Sequence, residues 1–148
     1  MNKHLGINVI TLGTFDMLHI GHIRLLQKCQ EIAGCGKVTV GLNTDQFIKD
    51  YKGKPPIMNY KERIDVLLTL NLVDAVLENG QENGDAKDII LRSEADLIVI
   101  GSDWARKDYV GQLGLDWDWL DEHEIGICYV TYTPGVSTTE LKRRVNEC

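Results

Sequence analysis

Apolar residues follow two alternating rhythms along the chain. Short runs, Val9 to Leu12, Val38 to Leu42, Val73 to Leu77, Leu97 to Ile100 and Ile127 to Tyr132, have the length and β-branched content of buried strands. Between them lie stretches of helical spacing around Ile20 to Ala33, Asn59 to Leu70, Asp85 to Glu94, Asp116 to His123 and Thr138 to Val145. Leu25, Cys29 and Ile32 fall at i, i+4 and i+7, and Ile64, Leu67 and Leu68 at i, i+3 and i+4, so both helices carry an inward stripe. Strand and helix in strict alternation predict βαβ units: an α/β, Rossmann-like, doubly wound parallel sheet covered on both faces.

Two connections break the rhythm. A polar stretch from Asp50 to Met58 contains the Pro55-Pro56 pair and reads as a loop suited to a mobile flap. A second, Ser102 to about Leu115, follows the fourth strand. Ligands of doubly wound sheets bind beyond the carboxyl ends of strands, where strand order reverses, so chemistry is expected in the loops after the first and fourth strands.

A chain of 148 residues is read as one domain, 1–148. That length buries roughly two-thirds of the unfolded surface, enough for a core without disulfides. No apolar run approaches the ~20 residues of a membrane span, and the first residues show neither a long apolar region nor a small-residue cleavage site, so a cytoplasmic protein is expected. The net charge of −6 argues against a nucleic-acid partner and requires any anionic ligand to be held by a local cluster of donors. Cys29, Cys35, Cys128 and Cys148 form no C-x-x-C pair, and reduced, mostly packing thiols are expected.

The chemistry concentrates after the first strand, in Gly13-Thr14-Phe15-Asp16-Met17-Leu18-His19-Ile20-Gly21-His22. Gly13 permits close backbone approach, and a helix opening near Leu18 or His19 would point free N–H groups at an anion. His19 and His22, spaced i, i+3, share one face of its first turn. An isolated H-x-x-H is more often two surface histidines, but its place at a strand end after Gly-Thr-Phe-Asp favours imidazoles aimed at nucleotide phosphates. Asp16 is read either as the cap of that helix or as a ligand of the magnesium that accompanies a triphosphate.

These residues resemble the H-x-G-H signature of the nucleotidyltransferase superfamily, in the G-T-F-D-x-L-H-x-G-H form of the cytidylyltransferases. Asn43-Thr44-Asp45, Lys52-Gly53-Lys54, Tyr60-Lys61-Glu62-Arg63, Val73-Asp74, Gly101-Ser102-Asp103-Trp104 and Gly135-Val136-Ser137-Thr138-Thr139 follow in that family's order. With the βαβ alternation, the resemblance implies strand order 3-2-1-4-5 and a site between strands 1 and 4. It implies transfer of CMP from CTP, with Mg²⁺, to a small phosphorylated acceptor (glycerol 3-phosphate or a related polyol or sugar phosphate) and release of pyrophosphate. His19, His22, Lys52 and Lys54 are then the catalytic candidates. Gly13, Thr14, Phe15, Gly21, Arg63, Gly135, Ser137 and Thr138 are expected on the nucleotide, and Asp103 and Trp104 on the acceptor. A homodimer is expected from the resemblance and from base rates. ATP as donor, and a binding module without turnover, remain open at this point.

Each candidate also has a plain reading. Lys52 and Lys54, alternating about Gly53, would point to one side of an extended segment and could equally be a solvated basic loop. Ser137 with Glu140 is a capping box, S-x-x-E, so Ser137 is read mainly as a cap and Thr138 mainly as a phosphate contact. For Trp104, packing is the commoner role. Two positions depart from the family's pattern: Asn71 and Tyr132 stand where arginines are common, removing two bidentate phosphate binders. Together with the long Ala105 to Gly126 segment and its Trp117, Trp119 and acidic residues, this directs the expectation to an acceptor other than glycerol 3-phosphate.

Overall fold

Val9–Gly13 lacks polar alternation because both of its faces are covered, as a central parallel strand requires. The structure is a computed structural model describing residues 6–131 and 133–148. This strand, β1, pairs with β2 (Val38–Asn43) on one side and β4 (Leu97–Gly101) on the other. β3 (Ala75–Asn79) and β5 (Gly126–Val130) form the edges, so the parallel sheet runs β3-β2-β1-β4-β5, the order expected from the sequence.

One face is covered by α1 (Ile20–Ala33) and α3 (Tyr60–Thr69), which set Leu26, Cys29 and Leu67 against Val9, Val40 and Leu42. The other face packs α4 (Lys87–Arg92), α5 (Tyr109–Gln112) and α6 (Trp117–Glu122) through Ile90, Tyr109, Leu113 and Leu120 against Ile10, Leu12, Ile98 and Ile100. The last helix, α7 (Thr138–Asn146), buries no residue completely. No helix among the described residues is long and apolar enough to cross a membrane. All four cysteines are free thiols.

Three of the boundaries that differ from the sequence reading bear on the site. The expected flap begins later, because Asp45–Lys52 forms a helix, α2, capped at Thr44 by a bond from the Phe47 N–H (3.1 Å) and closed by Gly53 at φ 81°. The third strand starts at Ala75, since Asp74 is spent on its opening: its carboxylate accepts the Val38 N–H and its own N–H donates to the Val38 carbonyl. The fifth strand ends at Val130, and Tyr132 lies outside the described residues.

The pairing about β1 is unequal. β1 and β2 stay in register for five residues, Val9↔Val38 to Gly13↔Leu42, whereas β1 and β4 pair only at Val9↔Leu97 and Ile10↔Ile98. Beyond Ile10 and Ile98 the two strands part, and a crevice opens at their carboxyl ends.

Candidate active site

That crevice is a cleft of about 850 Å³ whose lining includes the ends of β1 and β4, the start of α1, α2 with the loop after it, and α7. His19 is the N-cap of α1, and its ring stacks on that of His22, with centroids 3.8 Å apart. The pair caps itself reciprocally. His22 Nδ1 accepts the His19 N–H (3.1 Å) and His19 Nδ1 accepts the Gly21 N–H (3.1 Å). A neutral imidazole that accepts at Nδ1 carries its hydrogen on Nε2, so the backbone fixes both tautomers and leaves two Nε2–H donors. Gly21 is needed for this: a Cβ there would come within 2.9 Å of His19 Cε1.

Burial, reinforced by the neighbouring His19 and opposed by Asp16, pushes the His22 pKa down to about 3; burial also lowers that of His19. Both rings are neutral at pH 7 and act as donors rather than cations. Because the folded pKa of His22 lies below its unfolded value near 6.5, the unfolded chain binds the extra proton between those limits. Stability from this group is therefore complete above pH 6.5 and is lost as pH falls toward 3, by about 1.4 kcal/mol per unit. Melting wild type and His22→Asn at pH 7 and pH 5 should show the larger acid loss in wild type; parallel losses would contradict the neutral, buried assignment.

The preceding loop is strained and heavily bonded. Phe15 and Met17 both have φ of 50°, in the left-handed region that such residues rarely occupy. Phe15 is buried against Leu26, Leu42 and Leu67, with its ring 5.2 Å from that of His22. Between them the buried carboxylate of Asp16 accepts the N–H groups of Ile57 (2.7 Å) and Met58 (2.9 Å), while its carbonyl takes the Thr138 hydroxyl (2.8 Å). One residue thus ties the β1 loop both to the segment after Lys54 and to the start of α7.

Lys52 and Lys54 both line the cleft, although Lys52 ends a helix and the extended geometry expected for the pair is absent. Partial burial lowers the Lys52 pKa, followed by the charge of Lys142, with Lys54 and Arg63 adding and Asp16 opposing. Lys142, from α7, is therefore a third ammonium in the same field, and it too lines the cleft.

The comparisons with known proteins bear on this geometry. The family model described as cytidylyltransferase-like matches residues 10–144. The chain belongs to the cytidylyltransferase-like family. It is 34% identical over 135 residues to the glycerol-3-phosphate cytidylyltransferase of Bacillus spizizenii, covering 91% of this chain and 94% of that protein. It is 36% identical over 135 residues to the bifunctional protein HldE of Hyphomonas neptunium, covering 90% of this chain and 26% of that protein. The crystal structure of a lipopolysaccharide core biosynthesis protein from Thermoplasma volcanium superposes with a TM-score of 0.67 at 23% identity, over 86% of this chain and 97% of that one, a likeness of fold.

Within this cytidylyltransferase-like site, most residues singled out from the sequence meet at the cleft, including Gly13, Thr14, Gly21, Ser137, Asp103 and Trp104 with the histidines and lysines. Others do something different from what was expected. Arg63 does not line the cleft: its wholly buried guanidinium donates to the carbonyls of Met58 (3.0 Å), Thr14 (2.8 Å) and Asn43 (2.8 Å) and to Asp45 Oδ1 (2.6 Å), so four of its five N–H donors are spent inside the protein, away from the cleft. Gly135 serves a left-handed turn at φ 75°. Ser137 caps α7 through the Glu140 N–H, as expected, but the Glu140 carboxylate goes to Arg143 and Arg144, so the box is half-formed. Thr138 donates its hydroxyl hydrogen to the β1 loop rather than keeping it for a phosphate.

Asp16 does not cap α1, which His19 does, and its carboxylate holds the loop after Lys54 in place. Each of its oxygens accepts one backbone N–H, and no group of three or more His, Cys, Asp or Glu that could hold a metal by itself occurs among the described residues. Trp104 packs against the core under the Lys107 ammonium, 4.9 Å from the ring centroid. Of the 105–126 segment, Tyr109, Gln112 and Leu113 reach the cleft; Trp117 is exposed and Trp119 packs on the sheet with His123. Missed from the sequence were Phe47, Tyr51, Asn79 and Gln81, which also line the cleft. The i, i+4 spacing of Phe47 and Tyr51 was the available signal for the first two.

Proposed function

We propose that the protein transfers CMP from CTP to a small phosphorylated acceptor, glycerol 3-phosphate or a related polyol or sugar phosphate. An acceptor phosphate oxygen attacks the α-phosphorus, the new P–O bond forms, and the bond to the β-phosphate oxygen breaks to release pyrophosphate. The observation that carries this is the stacked His19–His22 pair, whose Nδ1 atoms are both held by backbone donors and whose Nε2–H groups share a cleft with three ammonium groups. Such a site does no covalent chemistry. It aligns two phosphates and neutralises charge that grows on the α-phosphate and the leaving group. Magnesium enters this reading with the triphosphate, as part of the substrate.

Lys142 adds positive charge to the cleft beside Lys52 and Lys54. Lys142→Ala should raise the KM for CTP about tenfold with a smaller change in kcat, and Lys142→Arg should recover most of it. Steady-state kinetics check this, and an unchanged KM would remove Lys142 from the site.

Pyrophosphate release, measured with each of the four nucleoside triphosphates against a panel of phosphorylated polyols and sugars, tests the whole reading. Release with CTP and glycerol 3-phosphate or a related polyol phosphate is the expected result. Preference for ATP, or no release with any pair, would replace it by adenylyl transfer or by binding alone. The same panel decides whether Asn71 redirects the acceptor away from glycerol 3-phosphate. A homodimer belongs to the proposal on base rates; sedimentation as a monomer at high concentration would end it.

A further inference from the structure

Residues two apart on a strand share a face. Leu77 packs with Leu12 in the core beneath α4 and α5, and Gly41 meets Leu12 and Ile89 there. Asn79 and Asn43, each two residues further on, therefore stand on that face at the carboxyl ends of β3 and β2, opposite one another in register. Their amides are wired in series. Asn79 Nδ2 donates to Asn43 Oδ1 (2.8 Å), and Asn43 Nδ2 donates to Thr14 Oγ1 (3.2 Å). Turning Asn79 alone over would set two carbonyl oxygens against each other, and in the structure the series runs from Asn79 through Asn43 to the Thr14 hydroxyl.

What remains is Asn79 Oδ1, buried and without a hydrogen-bond partner among the described residues. Tyr109 Oη, on the helix packed against the same face, is in the same condition. The two residues are 2% and 4% exposed, and both line the cleft. Folded proteins seldom leave buried polar atoms unpaired; of the three such side-chain atoms among the described residues, Thr11 Oγ1 lies within β1 away from the cleft, and these two belong to residues that line it, where a ligand's groups can pair them. A bare carbonyl oxygen repels a phosphate and welcomes a hydroxyl donor, and the phenol oxygen can give or accept. Gln81 and Gln112 line the cleft as further neutral groups.

We propose that Asn79 and Tyr109 determine acceptor specificity by binding hydroxyl groups of the acceptor's uncharged body, with Asn79 Oδ1 accepting from one of them. This rests on the CMP-transfer reading above. It divides the cleft by chemistry: imidazoles and ammonium groups take the phosphates, and neutral amide and phenol groups read the polyol.

The test compares kcat/KM, at saturating CTP, for glycerol 3-phosphate (or whichever polyol phosphate of the panel turns over best) with its counterparts lacking one hydroxyl. For glycerol 3-phosphate these are the monophosphates of propane-1,2-diol and propane-1,3-diol. Wild type should prefer the full acceptor by about tenfold or more over at least one counterpart. In Asn79→Leu and in Tyr109→Phe that preference should fall toward unity, through loss on the full acceptor alone and with the KM for CTP unchanged. A purely structural role would slow all acceptors equally and keep the ratio, so a ratio that survives either substitution overturns the assignment of that residue. Tyr109→Phe keeps the buried ring and deletes only an unpartnered hydroxyl, so it retains the fold. Wild type that turns over no polyol phosphate overturns the CMP-transfer reading and this inference with it. Turnover with a ratio unmoved in both variants overturns this inference alone.

Discussion

His22→Ala should lower kcat with CTP by about a hundredfold or more, corresponding to roughly 3 kcal/mol of transition-state stabilisation, while CTP affinity falls much less. The size follows from the protonation state. Burial and the adjacent His19 hold His22 neutral, so in the proposed reaction its Nε2–H would give a hydrogen bond that strengthens as charge develops on the phosphates. The cost of reorganisation is met in advance, because the His19 N–H on Nδ1 fixes the tautomer and the stack on His19 fixes the plane. His22→Asn can still accept the His19 N–H but projects no donor at the Nε2 position. It should keep the cap, worth about 1 kcal/mol, and still lose the rate. Rapid-mix measurement of the chemical step checks both variants, and unaltered turnover in His22→Ala would remove the histidines from the mechanism.

Arg63→Ala should destabilise the fold by about 3–5 kcal/mol, as expected when three backbone carbonyls lose their donor at about 1–3 kcal/mol each. In a chain of this length that corresponds to a loss of roughly 10 °C in Tm. The guanidinium bonds to the β1 loop, the end of β2, α2 and the segment before α3 together, through Thr14, Asn43, Asp45 and Met58. Its loss leaves three backbone carbonyls without their donor, while Asp45, 43% exposed, can turn to water. Arg63→Lys should recover little, since one ammonium cannot reproduce four bonds of planar geometry. Denaturant unfolding measures the effect; a loss below 1 kcal/mol would mean that the four bonds contribute little.

The sheet was legible because its strands are the apolar runs themselves. Val38 to Leu42 and Leu97 to Ile100 are covered on both faces, and such strands leave a continuous apolar record. α2 was hidden because it buries one residue, Ile48, and spends its remaining positions on a polar surface and the cleft. His19 and His22 could be read from their place after a strand. Their mutual capping could not, because imidazole is not a usual cap and the signal lies in which nitrogen faces which N–H. Arg63 was misread for a physical reason: an arginine beside a phosphate site and one buried among carbonyls look identical in a sequence. The amide series through Asn79 depends on β2–β3 register, which no local pattern displays.

The two-rung pairing of β1 with β4 has a consequence for the molecule as a material. On one side of β1 the sheet is stitched along its whole length; on the other it is stitched at its base and open above, with the cleft in the opening. The line of least cohesion therefore runs beneath the place where substrate sits. Thr138 to Asp16 is one of the few threads sewn across that seam at its upper end. A ligand that lies in the gap and binds only the folded chain stabilises it by RT ln(1 + [L]/Kd), so the fold should tighten as the cleft fills. Substrate is, in this sense, the last part of the sheet to be installed.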